Sequence, residues 1–239
     1  MKKPSVHNSE NAISYLSDLS GSFNENYKNI NRFKERLNLF VQKTIKYIPE
    51  NSLILDLGCG PGVMTYALSE KGYKVTGIDG SGEMIRLARS KTIPANSPIF
   101  FQKNIPFNPE ELDQRFDAII SSSLLEYLDE YDKTIKLVKE LLNADGIFIA
   151  SVPNIKSWFR KLERLIFFLW GRPTYFKFVK NRPSLNEFTS SISTCGFECI
   201  EYGYFAAKGP LFRLSGKILP QRYVNNMLYC VFRKTKETS

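Results

Sequence analysis

Histidine is nearly missing from this chain: His7 is the only one in 239 residues. The side chain that most often moves protons near neutral pH, and most often binds metals, is therefore scarce. Cysteine does not fill the gap. Cys59, Cys195, Cys199 and Cys230 form no C-x-x-C pair, which argues against a zinc site. They read as free thiols of a reducing compartment, with the cytoplasm as the expected location. Long apolar runs are also absent. The longest, Leu165–Trp170, is six residues, whereas a membrane-spanning helix needs about 20. The first twelve residues are polar and lack the apolar core of a secretory signal. Acidic residues are missing from one place in particular. Between Lys156 and Arg182 there are eight basic residues and one acid, Glu163, so this segment carries +7 of the net +9.

The composition otherwise suits a globular α/β chain, with 43% hydrophobic and 24% charged residues. Residues 1–26 are polar and read as a mobile tail or a lid, and 27–239 as one domain with an insert at 154–183. Apolar residues at helical spacing run from Tyr27 to Tyr47 and stop at Pro49. A strand, Leu53–Leu55, follows, then a glycine-rich turn and a helix near Val63–Glu70. The alternation continues: strand Lys74–Ile78, helix Ser81–Ser90, strands at Pro98–Gln102 and Phe116–Ile120, helix Tyr131–Leu142, strand Ile147–Val152. Such alternation predicts a doubly wound, mostly parallel sheet with helices on both faces. Beyond it a capping box, Ser184-Leu185-Asn186-Glu187, opens a helix ending at Gly196. Phe197–Ala206 and Met227–Phe232 read as strands joined by a long loop containing Gly209, Pro210 and Gly216.

The chemistry-bearing signal is Asp56-Leu57-Gly58-Cys59-Gly60-Pro61-Gly62, placed between a strand and a helix. Alternate glycines let the backbone approach a ligand closely, and the helix that follows points its N–H groups at the same place. Asp79 ends the second strand, where an acid accepts hydrogen bonds from a ribose diol in this architecture. No Gly-Lys-Ser/Thr follows, so a P-loop is excluded. That leaves a dinucleotide or an adenosine-type cofactor. A nicotinamide enzyme would read G-x-G-x-x-G, which this loop does not.

Three blocks in order, L-D-L-G-C-G-P-G, V-T-G-I-D-G-S-G-E-M-I and R-F-D-A-I-I-S-S-S-L-L-E-Y-L, resemble the class I S-adenosylmethionine (SAM)-dependent methyltransferases over roughly residues 28–153. The resemblance implies a Rossmann-like, seven-stranded fold with an N-terminal helical lid and a helical insert after the fifth strand. It implies SAM as cofactor. Asp56, Gly58, Cys59 and Gly60 would hold its methionine part, Asp79 with Gly80 its ribose, and Met84, Asn104 and Ile105 its adenine. Asn104 stands where many relatives carry an acid. Ser121 and Ser122 would flank the methionine end, and Arg36 would lie near the cofactor carboxylate. Tyr127 replaces a histidine common in relatives. A phenol titrating near 10 is a hydrogen-bond donor rather than a base at neutral pH, so Tyr127 is expected to position the acceptor at most. The acids Glu126, Asp129, Glu130 and Asp132 read as a solvated helix start, with no metal.

After V-P-N-I-K-S-W the layout loosely resembles ubiquinone-biosynthesis O-methyltransferases, which act on lipid-tailed substrates. The expected function is methyl transfer to a small or lipid-linked acceptor, at oxygen. An RNA-directed methyltransferase is the alternative suggested by the basic charge, although no Asn/Asp-Pro-Pro-Tyr/Phe block follows the fourth strand. A non-catalytic SAM-binding protein is a further one. The helix expected over Ile155–Trp170 carries Trp158, Phe159, Leu162, Leu165, Ile166 and Leu169 on one stripe. It is expected to lid the acceptor pocket with that stripe packed inward. Peripheral contact of 156–182 with a membrane is the other arrangement.

Overall fold

The structure, a computed structural model, describes residues 7–18, 29–90, 98–207 and 218–235. In chain order these form α1 (His7–Asp18), α2 (Asn31–Tyr47), β1 (Leu53–Leu57), α3 (Val63–Ser69), β2 (Lys74–Asp79) and α4 (Gly82–Arg89). Then come β3 (Ile99–Gln102), β4 (Phe116–Ser122), a 3-10 turn at Leu125–Tyr127, α5 (Tyr131–Leu141), β5 (Leu142–Pro153) and α6 (Trp158–Trp170). A second 3-10 turn at Thr174–Lys177 leads to α7 (Leu185–Ser193), β6 (Phe197–Ala207), α8 (Gln221–Val224) and β7 (Asn225–Lys234). The loop expected around Gly209, Pro210 and Gly216 falls on residues outside those described.

One sheet contains all seven strands in the order β3-β2-β1-β4-β5-β7-β6. β7 runs antiparallel to both β5 and β6, and the other pairs are parallel. The chain builds outward from β1 to β3, then returns to lay β4 on the other side of β1. This reversal opens a crevice at the carboxyl ends of β1 and β4, the usual place for a ligand in such sheets.

Alternation along the strands feeds two cores. Leu55, Phe148, Ala150, Leu228, Cys230 and Phe232 pack on one face with Ile135 and Val138 of α5 and Phe188 of α7. Ile54, Ile120, Ile149, Met227 and Val231 pack on the other with Phe40 of α2 and Met64 and Leu68 of α3. Strands covered on both faces explain the near-continuous apolar runs.

α6 departs from expectation. Most of its apolar stripe does not pack inward: Trp158, Leu162, Leu165 and Leu169 are exposed and Phe159 and Ile166 half-buried, whereas Glu163 is the buried member of the helix. The inward face is polar because Arg160 donates to the Glu163 carboxylate at 3.0 Å and Tyr175 donates to it at 3.0 Å.

Glu201 on β6 fastens α2 to the sheet. Its carboxylate accepts from Lys46 and from Tyr47 at 2.6 Å each and from Tyr229 at 2.8 Å, and it pairs with Lys43. Burial works against its charge, but these donors prevail and hold the carboxyl far below the usual range. A depressed carboxylate stabilises the fold above its unfolded value of about 4.3 and loses that contribution as pH falls through the folded value. Glu201→Gln is expected to cost on the order of 2 kcal/mol at neutral pH, measured by denaturant unfolding, and the gap from wild type should narrow in acid. An equal gap at all pH values would mean that the ion pairs are not its source.

Candidate functional site

The turn after β1 has the shape its glycines permit. Gly58 and Gly60 adopt φ of 81° and 53°, in the left-handed region. A Cβ on Gly58 would lie 3.0 Å from Leu124, whereas around Gly60 there is open space with nothing within 4 Å. Asp56 is 2% exposed, and its carboxylate accepts from Thr65 at 2.6 Å. Burial raises its pKa to about 7, Thr65 opposes this, and the charge of Asp79 adds to it. Asp56 thus ties the turn to α3 from beneath. Cys59 is buried under the same turn, where burial pushes its thiol up. Only backbone is left for a ligand there.

Asp79 joins this turn to the next. One carboxylate oxygen accepts from the Gly60 N–H at 2.9 Å and the other from the Ser81 N–H at 2.8 Å. Burial raises its pKa and these two bonds lower it. Ser81 caps α4 by accepting from the N–H of Met84, whose side chain is buried below. Asn104 reaches the same turn: its side-chain oxygen lies 3.4 Å from where a Cβ on Gly80 would stand. Ile105 is half-buried against the core, so its side chain faces the interior.

α1 lies over this edge. Ile13 would stand 2.9 Å from a Cβ on Gly80, the Ser17 and Ser81 hydroxyls are 2.6 Å apart, and Tyr15 stacks on Phe178 of the insert at 4.7 Å. The side chain of His7, residues 1–6 and 19–26 of the expected tail, and residues 27–28 of the expected helix lie outside the described residues.

At the end of β4 the buried polar atoms outnumber their partners. The hydroxyls of Ser121 and Ser122, that of Ser151 beside Ser122 on β5, the Arg36 Nε and one carboxylate oxygen of Glu126 are buried without a hydrogen bond among the described residues. Orphaned groups of this kind are rare in folded proteins and call for an explanation such as a bound ligand. Glu126 is not the solvated helix residue expected of it. It is 3% exposed, because Lys180 and Asn181 donate their N–H groups to its backbone carbonyl at 2.7 and 3.1 Å and fold the end of the insert over it. Asn181 also donates its side-chain amide to Leu125 and Leu128. Burial raises the Glu126 pKa to about 7, and nearby Arg36 and Arg160 pull it partly back. Asp129 and Glu130 are exposed, as expected. Burial lifts the Tyr127 hydroxyl well above its ordinary value, so it stays protonated.

These residues suit SAM. Asp79 has used two acceptor positions on backbone donors, and a carboxylate offers about four, which leaves room for a ribose diol. The open space at Gly60 admits a ligand against the backbone, and the serines and Arg36 offer unspent polar groups at the methionine end. Sequence reasoning missed Ser151 and the burial of Glu126. The first needs the β4–β5 register and the second needs Asn181, 55 positions away.

The comparisons agree with this geometry. A family model described as a methyltransferase domain matches residues 27–202. The chain belongs to this methyltransferase family, and its domain is of the SAM-dependent class. YqeM of Bacillus subtilis (strain 168) is 36% identical over 109 residues, covering 44% of this chain and 44% of that protein. The chain thus spans less than half the length of that relative. The ubiquinone biosynthesis O-methyltransferase of Pasteurella multocida (strain Pm70) is 26% identical over 167 residues, 63% of this chain and 69% of that enzyme. Among solved structures, magnesium protoporphyrin IX methyltransferase from Synechocystis PCC 6803 superposes with a TM-score of 0.67. It is 15% identical and covers 94% of this chain and 100% of its own.

Asp79→Ala removes a charged acceptor from both turns. Hydrogen bonds to charged groups are worth about 1.5–3 kcal/mol, so SAM affinity should fall at least about tenfold by titration calorimetry. Unchanged affinity would show that Asp79 does not hold the cofactor.

Proposed function

We propose that this protein methylates an oxygen on a small or lipid-linked acceptor and that Glu126 takes the acceptor's proton. The observation that carries this reading is a buried carboxyl with one unpartnered oxygen at the end of β4. Two relatives of this chain named as ubiquinone biosynthesis O-methyltransferases, from Proteus mirabilis and Pasteurella multocida, lend support from outside.

SAM supplies a methyl group already activated by a sulfonium. The chain's own task is to align an acceptor, and alignment can be worth about 7–11 kcal/mol. Asp79, the Gly58–Gly60 backbone and Arg36 would fix one side of the site. Ser122 and Ser151 would offer hydroxyls to the other. An oxygen nucleophile must also release a proton, and a base is most effective with a pKa near the working pH. Glu126, with a pKa raised to about 7, meets that condition. Tyr127 does not, since its phenol is held protonated.

The sign of the pH effect follows. Below about 7 the Glu126 carboxyl is protonated and cannot accept, so turnover should fall as pH drops through that value. The test is to incubate the protein with labelled SAM and phenols with and without an isoprenoid tail, and to look for methyl ethers by mass spectrometry. With the best acceptor, Glu126→Gln should lower turnover roughly 10²–10⁴-fold and flatten the pH profile, with SAM affinity retained. Tyr127→Phe should cost less than about tenfold, since removing one positioning hydroxyl forfeits a single ordinary hydrogen bond. Methyl transfer only to nitrogen, or an unaltered pH profile in Glu126→Gln, would overturn the assignment.

A further inference from the structure

The insert between β5 and α7 is built with its polar side inward. Ser157, at the head of α6, donates to Asn226 at 2.7 Å, and Arg160 reaches the Asn226 carbonyl at 3.3 Å. Arg160, Glu163 and Tyr175 close a buried network with one another. With that face committed, the helix turns most of its large apolar side chains outward, while Phe167 stacks on Phe176 beneath it. Trp158, Leu162, Leu165 and Leu169 form one exposed stripe along the helix, and Phe168, 84% exposed, and Trp170, 70% exposed, flank its C-terminal end on either side. A contiguous exposed apolar face on a soluble fold marks a contact surface.

The charges around it have one sign. Lys161, Arg164 and Arg172 are exposed on α6 or just beyond it, and Lys156 and Lys177 flank it. Beneath the helix lies a cavity of about 70 Å³ with an apolar floor that includes Ile155, Phe176 and Val179. Lys161, Arg164 and Arg182 stand on its wall, and none has an acidic partner among the described residues. The Arg182 guanidinium lies over the Phe176 ring, 5.0 Å from its centre. Burial lowers its pKa first, and its neighbours Arg164 and Arg160 lower it further. Unpaired guanidiniums gathered over an apolar floor call for an anion attached to something apolar.

We propose that the outer face of α6 and this cationic pocket dock the protein on an anionic bilayer. The aromatic side chains enter the acyl boundary, and a phospholipid phosphate sits between Arg164 and Arg182. A second copy of this chain is a poor occupant of the same face. Two surfaces carrying +7 over residues 156–182 would repel each other, whereas anionic lipid attracts both the collar and the pocket. The docking face adjoins the acceptor site, because residues 180–181 at the end of the insert are bonded to Glu126. It does not depend on which atom is methylated.

The test is flotation of the whole protein with phosphatidylcholine vesicles, with and without phosphatidylglycerol. The protein should float only with the phosphatidylglycerol vesicles and be released by salt. Phe168→Asp with Trp170→Asp, and separately Arg164→Glu, should each lower the bound fraction about fivefold or more, while SAM affinity stays unchanged and reports an intact fold. No flotation at low salt, or equal flotation with both vesicle types, would overturn the proposal. So would an RNA that binds through Arg164 while vesicles do not. So would a concentration-dependent dimer in sedimentation velocity that Phe168→Asp dissolves without any effect on vesicles.

Discussion

Two hydrogen bonds to one carboxylate hold the ligand edge of this protein together. Asp79 accepts from Gly60 at the end of β1 and from Ser81 at the end of β2. The Gly58 and Cys59 N–H groups already donate to the Ile78 carbonyl at 2.8 and 3.0 Å, and Asp79 extends that junction to Gly60 and Ser81, where glycines leave the backbone free to move. A buried charge is costly unless hydrogen-bonded, and here the bonds come from backbone groups that themselves need an acceptor. The arrangement fixes both turns, sets Met84 under the edge and presents Gly80 to α1. The shape of the cofactor side depends on that junction.

The end of β4 is organised differently. It is not knitted together by satisfied bonds but left with unspent ones, on Ser121, Ser122, Ser151, Arg36 and Glu126. Half-satisfied polar groups in a low-dielectric interior destabilise a fold, so their concentration at one strand end marks the place where a ligand would complete them. A chain nearly without histidine obtains a group that titrates near neutrality by burying a carboxyl. The Asn181 amide and the Lys180 N–H draw the insert over Glu126, and loss of solvent does the rest. The insert that buries Glu126 is the same one that turns Phe168 and Trp170 to the outside.

The parts legible in the sequence were those decided by neighbouring residues. Alternate glycines after a strand, and an acid at the end of the next strand, specify backbone shape and ligand-facing atoms within a few positions. The strand–helix alternation specified the sheet for the same reason, and its boundaries moved most where pairing extended a strand, as in β5 from Leu142 to Pro153. The misread parts were decided by distant partners. Glu126 looks solvated in a run with Asp129 and Glu130 until Asn181 covers it. The stripe on α6 has the spacing of a packed face. Asn226, far along the chain, and Tyr175, beyond the helix end, instead claim the opposite side of that helix. Periodicity locates an apolar face but does not say what it meets.

The central claim is that the ends of β1, β2 and β4, covered by α1, form one cofactor site. Hydrogen–deuterium exchange of the whole protein with and without saturating S-adenosylhomocysteine tests it most directly. Protection is predicted at residues 58–62, 79–84 and 121–122 together with α1, with α6 unchanged. Protection absent from both glycine turns, or confined to the insert, would contradict it.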